Sequence, residues 1–191
     1  GIKPTPSIGG VGLIKDYKKM ISMDLKAIDN LVLVIGKTEG HIDQSLFART
    51  ILDEKNGPPP EVNLFNEKNN GESLLDLIDK NYIKSAHDIS LGGLITALSK
   101  MCIKGNKGIK INKSKSLINE IEYFFAEDQG RYLIEINPKD FKEVSKILDK
   151  NSVHYDEIGK IIDKDMIIDQ KTKLTIDELK SYNTNWLKGY M

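Results

Sequence analysis

The sequence is short of most features that would mark an extracellular, membrane or nucleic-acid-binding protein. Its 191 residues include one cysteine, Cys102, so no internal disulfide can form. That thiol and three scattered histidines, His41, His87 and His154, do not make a zinc site. Such cysteine usage fits a reducing, cytoplasmic setting. No apolar run approaches the roughly 20 residues a membrane-spanning helix needs, and no basic segment followed by an apolar one marks a signal peptide. Twenty-eight basic side chains balance 28 acidic ones, so no excess charge points to nucleic acid or an anionic membrane. Repeats of solenoid period are missing too, and the richness in Asn and Lys is compositional. The length suits one substantial core with an appendage.

The appendage comes first. GIKPTPSIGGVGLIKDY has no initial Met and is dense in Gly and Pro. Pro4 and Pro6 fix their own φ and push their predecessors toward extended geometry, while Gly9, Gly10 and Gly12 clear side chains from the backbone. Residues 1–28 read as an arm lying against another surface, in a fragment of a longer protein; a disordered tail is the alternative. Residues 29–175 then form one domain, and 176–191 a helix or tail.

Within the domain two hydrophobic periods alternate. Leu31–Gly36 (LVLVIG) is a continuous apolar run closed by Gly, the pattern of a strand buried on both faces. Ile42, Leu46 and Thr50, flanked by Phe47 and Ile51, predict a helix from Ile42 to Asp53. GPPP ends it, Pro60 can open the next helix, and Gly71 can divide that one in two. KSAHD predicts a strand, and Leu94, Ile95, Leu98, Met101 and Cys102 follow at amphipathic-helix spacing. GIKIN is a short strand, SLINEIEYFF a helix and RYLIEI an alternating strand. Asn137 and Pro138 cap and start a helix through Leu148. VHYDEIGKII and DMIID are strands joined by a Lys-Asp turn. Together these predict an α/β (α+β-like) domain, a mixed sheet covered by helices.

The stretch SAHDISLGGL, from Ser85 to Leu94, concentrates the chemistry. A strand ending in HDIS, then Gly92 and Gly93, then a helix leaves unpaired N–H groups at the positive end of a dipole, where phosphate or carboxylate binds. A Gly pair that only turns sharply is the equal alternative. Asp88 or Ser90 can cap the helix, and His87 can be an ordinary hydrogen-bonded strand residue. His, Asp and Ser at this spacing do not line up as a triad. Cys102 on an apolar helix face reads as a small buried thiol, not a nucleophile. His41 belongs with the start of its helix, and Trp186 and Tyr190 anchor the tail.

IKPTPSIGGVGLI, SAHDISLGGLITALSKM and FFAEDQGRYLI, with GKTEGHIDQSLFARTILDEKNGPPPEVNLFNEKNNG between the first two, resemble the large synthetase subunit of phosphoribosylformylglycinamidine synthase. The match in order and spacing runs over nearly the whole chain, and WLKGYM is similar to the end of the shorter bacterial form. The resemblance implies a C-terminal domain of the aminoimidazole ribonucleotide synthetase superfamily, preceded by the last segment of an ATP-binding half. It implies a ligase that converts formylglycinamide ribonucleotide to its amidine, with ATP and magnesium as cofactors. Ammonia would come from a separate glutaminase subunit, with a small bridging subunit, in the cytoplasm. It places the principal ATP, metal and substrate ligands in halves upstream of Gly1, leaving this chain with no catalytic or metal-binding residue and no ATP or magnesium of its own. The alternatives are another superfamily member, such as aminoimidazole ribonucleotide synthetase, or a stand-alone nucleotide-binding or interaction module.

On this reading the phosphate- or substrate-facing candidates are Thr5, Ser7, His87, Asp88, Ser90, Gly92, Gly93, Glu127, Gln129 and Arg131. Two positions depart from the family pattern. Leu91 stands where an acidic residue is common, which removes a metal carboxylate, and Ala126 stands where Gly is frequent. For Glu127, Gln129 and Arg131, a turn and a salt bridge at a strand start are the alternative to ligand contact.

Overall fold

LVLVI has no polar face to offer water, and the chain accordingly places it inside a sheet. In the computed structural model, which describes residues 6–112 and 118–189, β1 (Leu31–Ile35) has a partner on each side. Its neighbours are β4 (Arg131–Ile136) and β5 (Tyr155–Ile162), both antiparallel. Outside β4 lies β2 (Ile83–Ile89), and beyond β5 come β3 (Gly108–Ile111), β6 (Met166–Ile168) and β7 (Thr172–Leu174). The sheet is mixed, because β3 and β6 run parallel while the other pairs are antiparallel.

Strand alternation sends successive side chains to opposite faces, so two cores form. Val32 and Val34 point to one, with Leu133 and Ile158, beneath α3 (Gly93–Gly105), α4 (Glu120–Phe125) and α6 (Ile176–Lys188). Leu33 and Ile35 point to the other, with Ile134 and Ile136, beneath α2 (Leu64–Asp79) and α5 (Phe141–Lys150). Leu94, Ala97, Leu98, Met101 and Cys102 form the buried stripe of α3, and each buried Leu there contributes about 1.5–3 kcal/mol. The fold is the α/β, mixed-sheet, helix-covered class that the patterning predicts.

Several elements differ in detail. The helix expected from Ile42 to Asp53 shrinks to α1 (Leu46–Thr50). Gln44 takes a left-handed φ of 62° and Asp53 one of 54°, and Ser45 caps the helix through Ala48 N. Pro60 does not open α2; Asn63 does, by accepting from Asn66 N. Gly71 does not break α2, and lies over the Tyr132 hydroxyl. The turn after β5 exists, yet β5 and β6 are not a hairpin, because β3 lies between them. Part of the helix read at SLINEIEYFF, the whole of Tyr190 and the side chain of Trp186 lie outside the described residues.

The N-terminal segment divides in two. Residues 6–18 are exposed, with Ile8, Val11 and Leu13 all above 90% accessible (92%, 105% and 93%). From Lys19 the chain is strapped to the domain, and Leu25 plugs the first core at 1% exposure.

Candidate functional site

Four connections meet at one end of the sheet. β1 and β2 end there, β4 and β5 begin there, and the paired residues Ile35, Tyr132 and Tyr155 mark the level. This brings together the loop 36–41, the Gly92–Gly93 turn, the loop 126–130 and residues 152–154.

Glu127 joins two helices at that end. Its Oε1 accepts from Gly92 N at 2.8 Å, at the start of α3, and from Leu46 N at 2.7 Å, at the start of α1. A carboxylate facing helix N-termini is favoured by the dipole and satisfies orphan donors. Neither Asp88 nor Ser90 caps α3, whose N-cap is Gly92 with no side-chain bond of its own. Gly93, at φ 70°, lets the turn approach the chain after α4; a Cβ there would stand 2.7 Å from Ala126 O and 2.8 Å from Phe124 O. The turn is therefore tight, and its first N–H is already taken by the chain's own anion.

Asp128 performs a similar task one loop away. Its two oxygens accept from Glu39 N at 3.0 Å, Gly40 N at 3.1 Å and His41 N at 3.0 Å, three successive amides that wrap one carboxylate. His41 is held further through Nε2 and Pro58 O at 3.1 Å. Arg131 faces inward at 1% exposure. It donates to Ala126 O at 2.7 Å, Asp128 O at 3.2 Å and Thr38 Oγ1 at 3.0 Å, with the Asp128 carboxylate 3.8 Å away. Burial lowers the Arg131 pKa, against the pull of Asp128.

Beside this clasp opens a cleft of about 530 Å³. Its floor is made of Gly36, Gly130 and Asn70, and Asn70 Nδ2 donates to Gly130 O at 2.9 Å. One wall is the polar stripe of α2, Asn63, Asn66, Glu67 and Asn70; the opposite rim carries Lys37, Glu39, His41 and His154. Gln129 is exposed at its mouth.

His87 and Asp88 lie elsewhere, in a shallower groove of about 770 Å³ along the outer edge of β2, with Ser22, Asp24, Lys104 and Tyr132. His87 Nδ1 is 3.0 Å from Asp88 Oδ1, and its Nε2 is buried without a hydrogen bond. Burial works to raise the Asp88 carboxyl, but hydrogen bonding from Ser90 and the neighbouring His87 outweighs it and leaves the group below its ordinary value. The Tyr132 hydroxyl, which lines the groove, is raised by burial first and then by the charges of Glu67 and Asp88.

The candidates thus separate. Gln129 lines the cleft, His87 and Asp88 line the groove, and Ser90 is exposed beside the Gly92–Gly93 turn. Glu127 and Arg131 hold backbone, Ser7 stands on the exposed arm, and Thr5 lies outside the described residues. Sequence reasoning missed Asp128 and the α2 stripe. The N-x-x-N-E-x-x-N spacing of the stripe was the available signal, a polar face where an apolar one is usual.

A triphosphate does not fit what is here. Glu127 occupies the Gly92 N–H, and the cleft is lined by Glu39, Glu61, Glu67 and Asp128 against one lysine, Lys37. Among the described residues no group of three or more His, Cys, Asp or Glu side chains is placed to hold a metal ion.

The profile of the AIR synthase related protein family, C-terminal domain, matches residues 27–170. Over its whole length the chain is 68% identical to the phosphoribosylformylglycinamidine synthase subunit PurL of Pelagibacter ubique, and 190 residues are 37% identical to that of Bartonella henselae. In each case the chain spans 26% of the relative, about a quarter, and it matches the C-terminal portion. Among solved structures, Thermotoga maritima PurL complexed with FGAR superposes with a TM-score of 0.70 at 16% identity, covering 85% of this chain and 30% of that one. PurL complexed with ATP gives 0.67 at 15%, covering 85% and 27%, and PurLQS from the same organism 0.65 at 18%, covering 85% and 28%. At such identities these structures speak to the fold alone, and it is the profile match over most of the chain that settles kinship: the chain belongs to the AIR synthase related protein family as its C-terminal domain, matching the C-terminal part of PurL.

Proposed function

We propose that this chain is the C-terminal domain of a purine-biosynthetic ligase that converts formylglycinamide ribonucleotide to formylglycinamidine ribonucleotide. The observation that carries the reading is the 68% identity to one PurL over all 191 residues. The parent enzyme would use ATP and magnesium, held by ATP-binding halves upstream. It would take ammonia released from glutamine by a separate glutaminase subunit, with a small bridging subunit, in the cytoplasm. T. maritima PurL complexed with ATP and with FGAR, and the PurLQS structure, support the cofactor, substrate and partner parts of the reading.

Within that enzyme the domain contributes walls and not chemistry. Glu127 and Asp128 fix the loops at one end of the sheet by binding backbone amides, and Arg131 holds the turn between them. This rigidity presents the cleft and Gln129 to whatever packs against that end, at no cost of reordering when a ligand arrives. The isolated chain is catalytically silent on this reading.

The test is amidine formation from ATP, magnesium, formylglycinamide ribonucleotide and ammonia, by the full-length protein and by the 191-residue chain. Turnover by the full-length protein alone is expected. Enzyme-like turnover by the isolated chain would overturn the silent-domain reading, and none by the full-length protein would sink the ligase assignment.

A further inference from the structure

Near its other end β4 carries its one carboxylate. Glu135 is fully buried, at 0% exposure. Its Oε2 accepts from Lys26 N and Ser85 Oγ, each at 2.8 Å; its Oε1 accepts from Ala27 N at 3.0 Å and Asn30 Nδ2 at 2.6 Å. All four donors are neutral. None of the ion pairs among the described residues involves Glu135. A buried anion without a cation depends on such dipoles to replace its water.

Three of the four donors come from residues 26–30, the segment by which the chain enters the domain. Weaker ties continue upstream. Leu25 N donates to Met101 O at 3.4 Å, Ser22 O accepts from Ala86 N at 3.1 Å on the outer edge of β2, and Lys19 Nζ reaches Asn81 Oδ1 at 3.2 Å. Beyond Lys19 the chain is exposed.

We propose that Glu135 is the positioning residue of this joint: its carboxylate fixes where residues 19–30 lie, and so the direction in which everything upstream meets the domain. The dependence runs both ways, since lifting the strap would take away three of the carboxylate's four donors, Ser85 alone remaining. Leu25 also anchors the strap, but apolar contact is non-directional and specifies no register. Two adjacent backbone amides aimed at two oxygens do, together with the backbone bonds Asp29 N to Ile161 O and Ile161 N to Asn30 O, each 2.9 Å, at the strap's end.

The chemistry makes Glu135→Gln a sharp probe. The amide keeps the volume and replaces one acceptor oxygen with a donor. Ser85 can turn its hydroxyl to accept, and Asn30 can flip to present its oxygen, but a backbone N–H cannot invert. In either amide orientation, Lys26 N or Ala27 N loses its acceptor.

Hydrogen exchange on the full-length protein reads this directly. In Glu135→Gln the Lys26 and Ala27 amides are expected to exchange about ten- to a hundredfold faster, the cost of one unsatisfied buried donor. Amides at the centres of β1 and β4 should hold their protection. Ser85→Ala, which removes a donor from the sheet side only, should change strap exchange far less. Spin labels placed by Gly12→Cys and Lys142→Cys, with other accessible cysteines removed, should show a broader distance distribution in Glu135→Gln. Unchanged strap exchange, equal loss of protection across the sheet, or an unchanged distance distribution would each overturn the proposal. These readouts do not depend on the reaction, so the ligase assignment can fail while this one stands.

Discussion

At its first residue β4 buries a cation, Arg131, among backbone and hydroxyl acceptors with the Asp128 carboxylate nearby; near its other end it buries an anion, Glu135, among four neutral donors. The first end is a clasp between loops of one domain. The second is a joint between the domain and the chain that precedes it. A clasp that includes opposite charges tolerates the loss of a single hydrogen bond, because the remaining charge still has a counter-ion. The joint has no such reserve, and its charge is solvated by the very segment it holds. Permanence at one end and dependence at the other follow from that difference alone.

The largest way to break the contrast is Arg131→Leu. It strips Ala126 O, Asp128 O and Thr38 Oγ1 of a donor and leaves Asp128 without its cation. A loss of about 3–5 kcal/mol in urea unfolding is expected; a loss no larger than that of a surface substitution would mean the clasp is ornamental. Glu135→Gln should cost about 1–3 kcal/mol and localise that cost to the strap. Glu127→Gln, which weakens the carboxylate at two helix starts, should cost about 1 kcal/mol, measured the same way.

Cys102 tells the two ends apart without a denaturant. Burial pushes its thiol up to about 12, so at pH 8 almost none is thiolate and alkylation must wait for an opening. The preceding residue, Met101, accepts from Leu25 N on the strap. Labelling should therefore accelerate in Glu135→Gln and stay near the parent rate in Glu127→Gln; equal acceleration in both would erase the distinction. At the small end stands Lys80→Ala, which removes an exposed helix-surface ion pair with Asp76 and should change stability by no more than about 0.5 kcal/mol.

How much of this was legible in the sequence depends on the range of the interaction. β1 and α3 follow from local patterns, and the structure has them where periodicity puts them, while Asn137 and Pro138 open a 3₁₀ turn, Pro138–Asp140, that leads into α5 at Phe141. The length of α1 was not legible, because nothing about Gln44 announces a left-handed residue. The site is harder still. FFAEDQGRY marks a special loop, but the partners of Glu127 and Asp128 lie 35 to 89 residues away at the starts of α3 and α1 and in loop 39–41, and no spacing rule reaches so far. Glu135 sits in a strand whose alternation predicts a side chain in a core. Its acid there is the signal, visible only once a strand is granted.

β3 slots between β5 and β6 although a turn of only three residues, 163–165, joins those two strands. That turn passes over Gly108, where a Cβ would stand 2.0 Å from Asp165 O and 2.4 Å from Lys164 O. β5 and β6 therefore do not pair with each other, and β3, from earlier in the chain, takes its hydrogen bonds from strands on both sides of that one turn. A side chain at position 108 would meet the backbone of that turn, so the joining of three strands depends on a residue that has none.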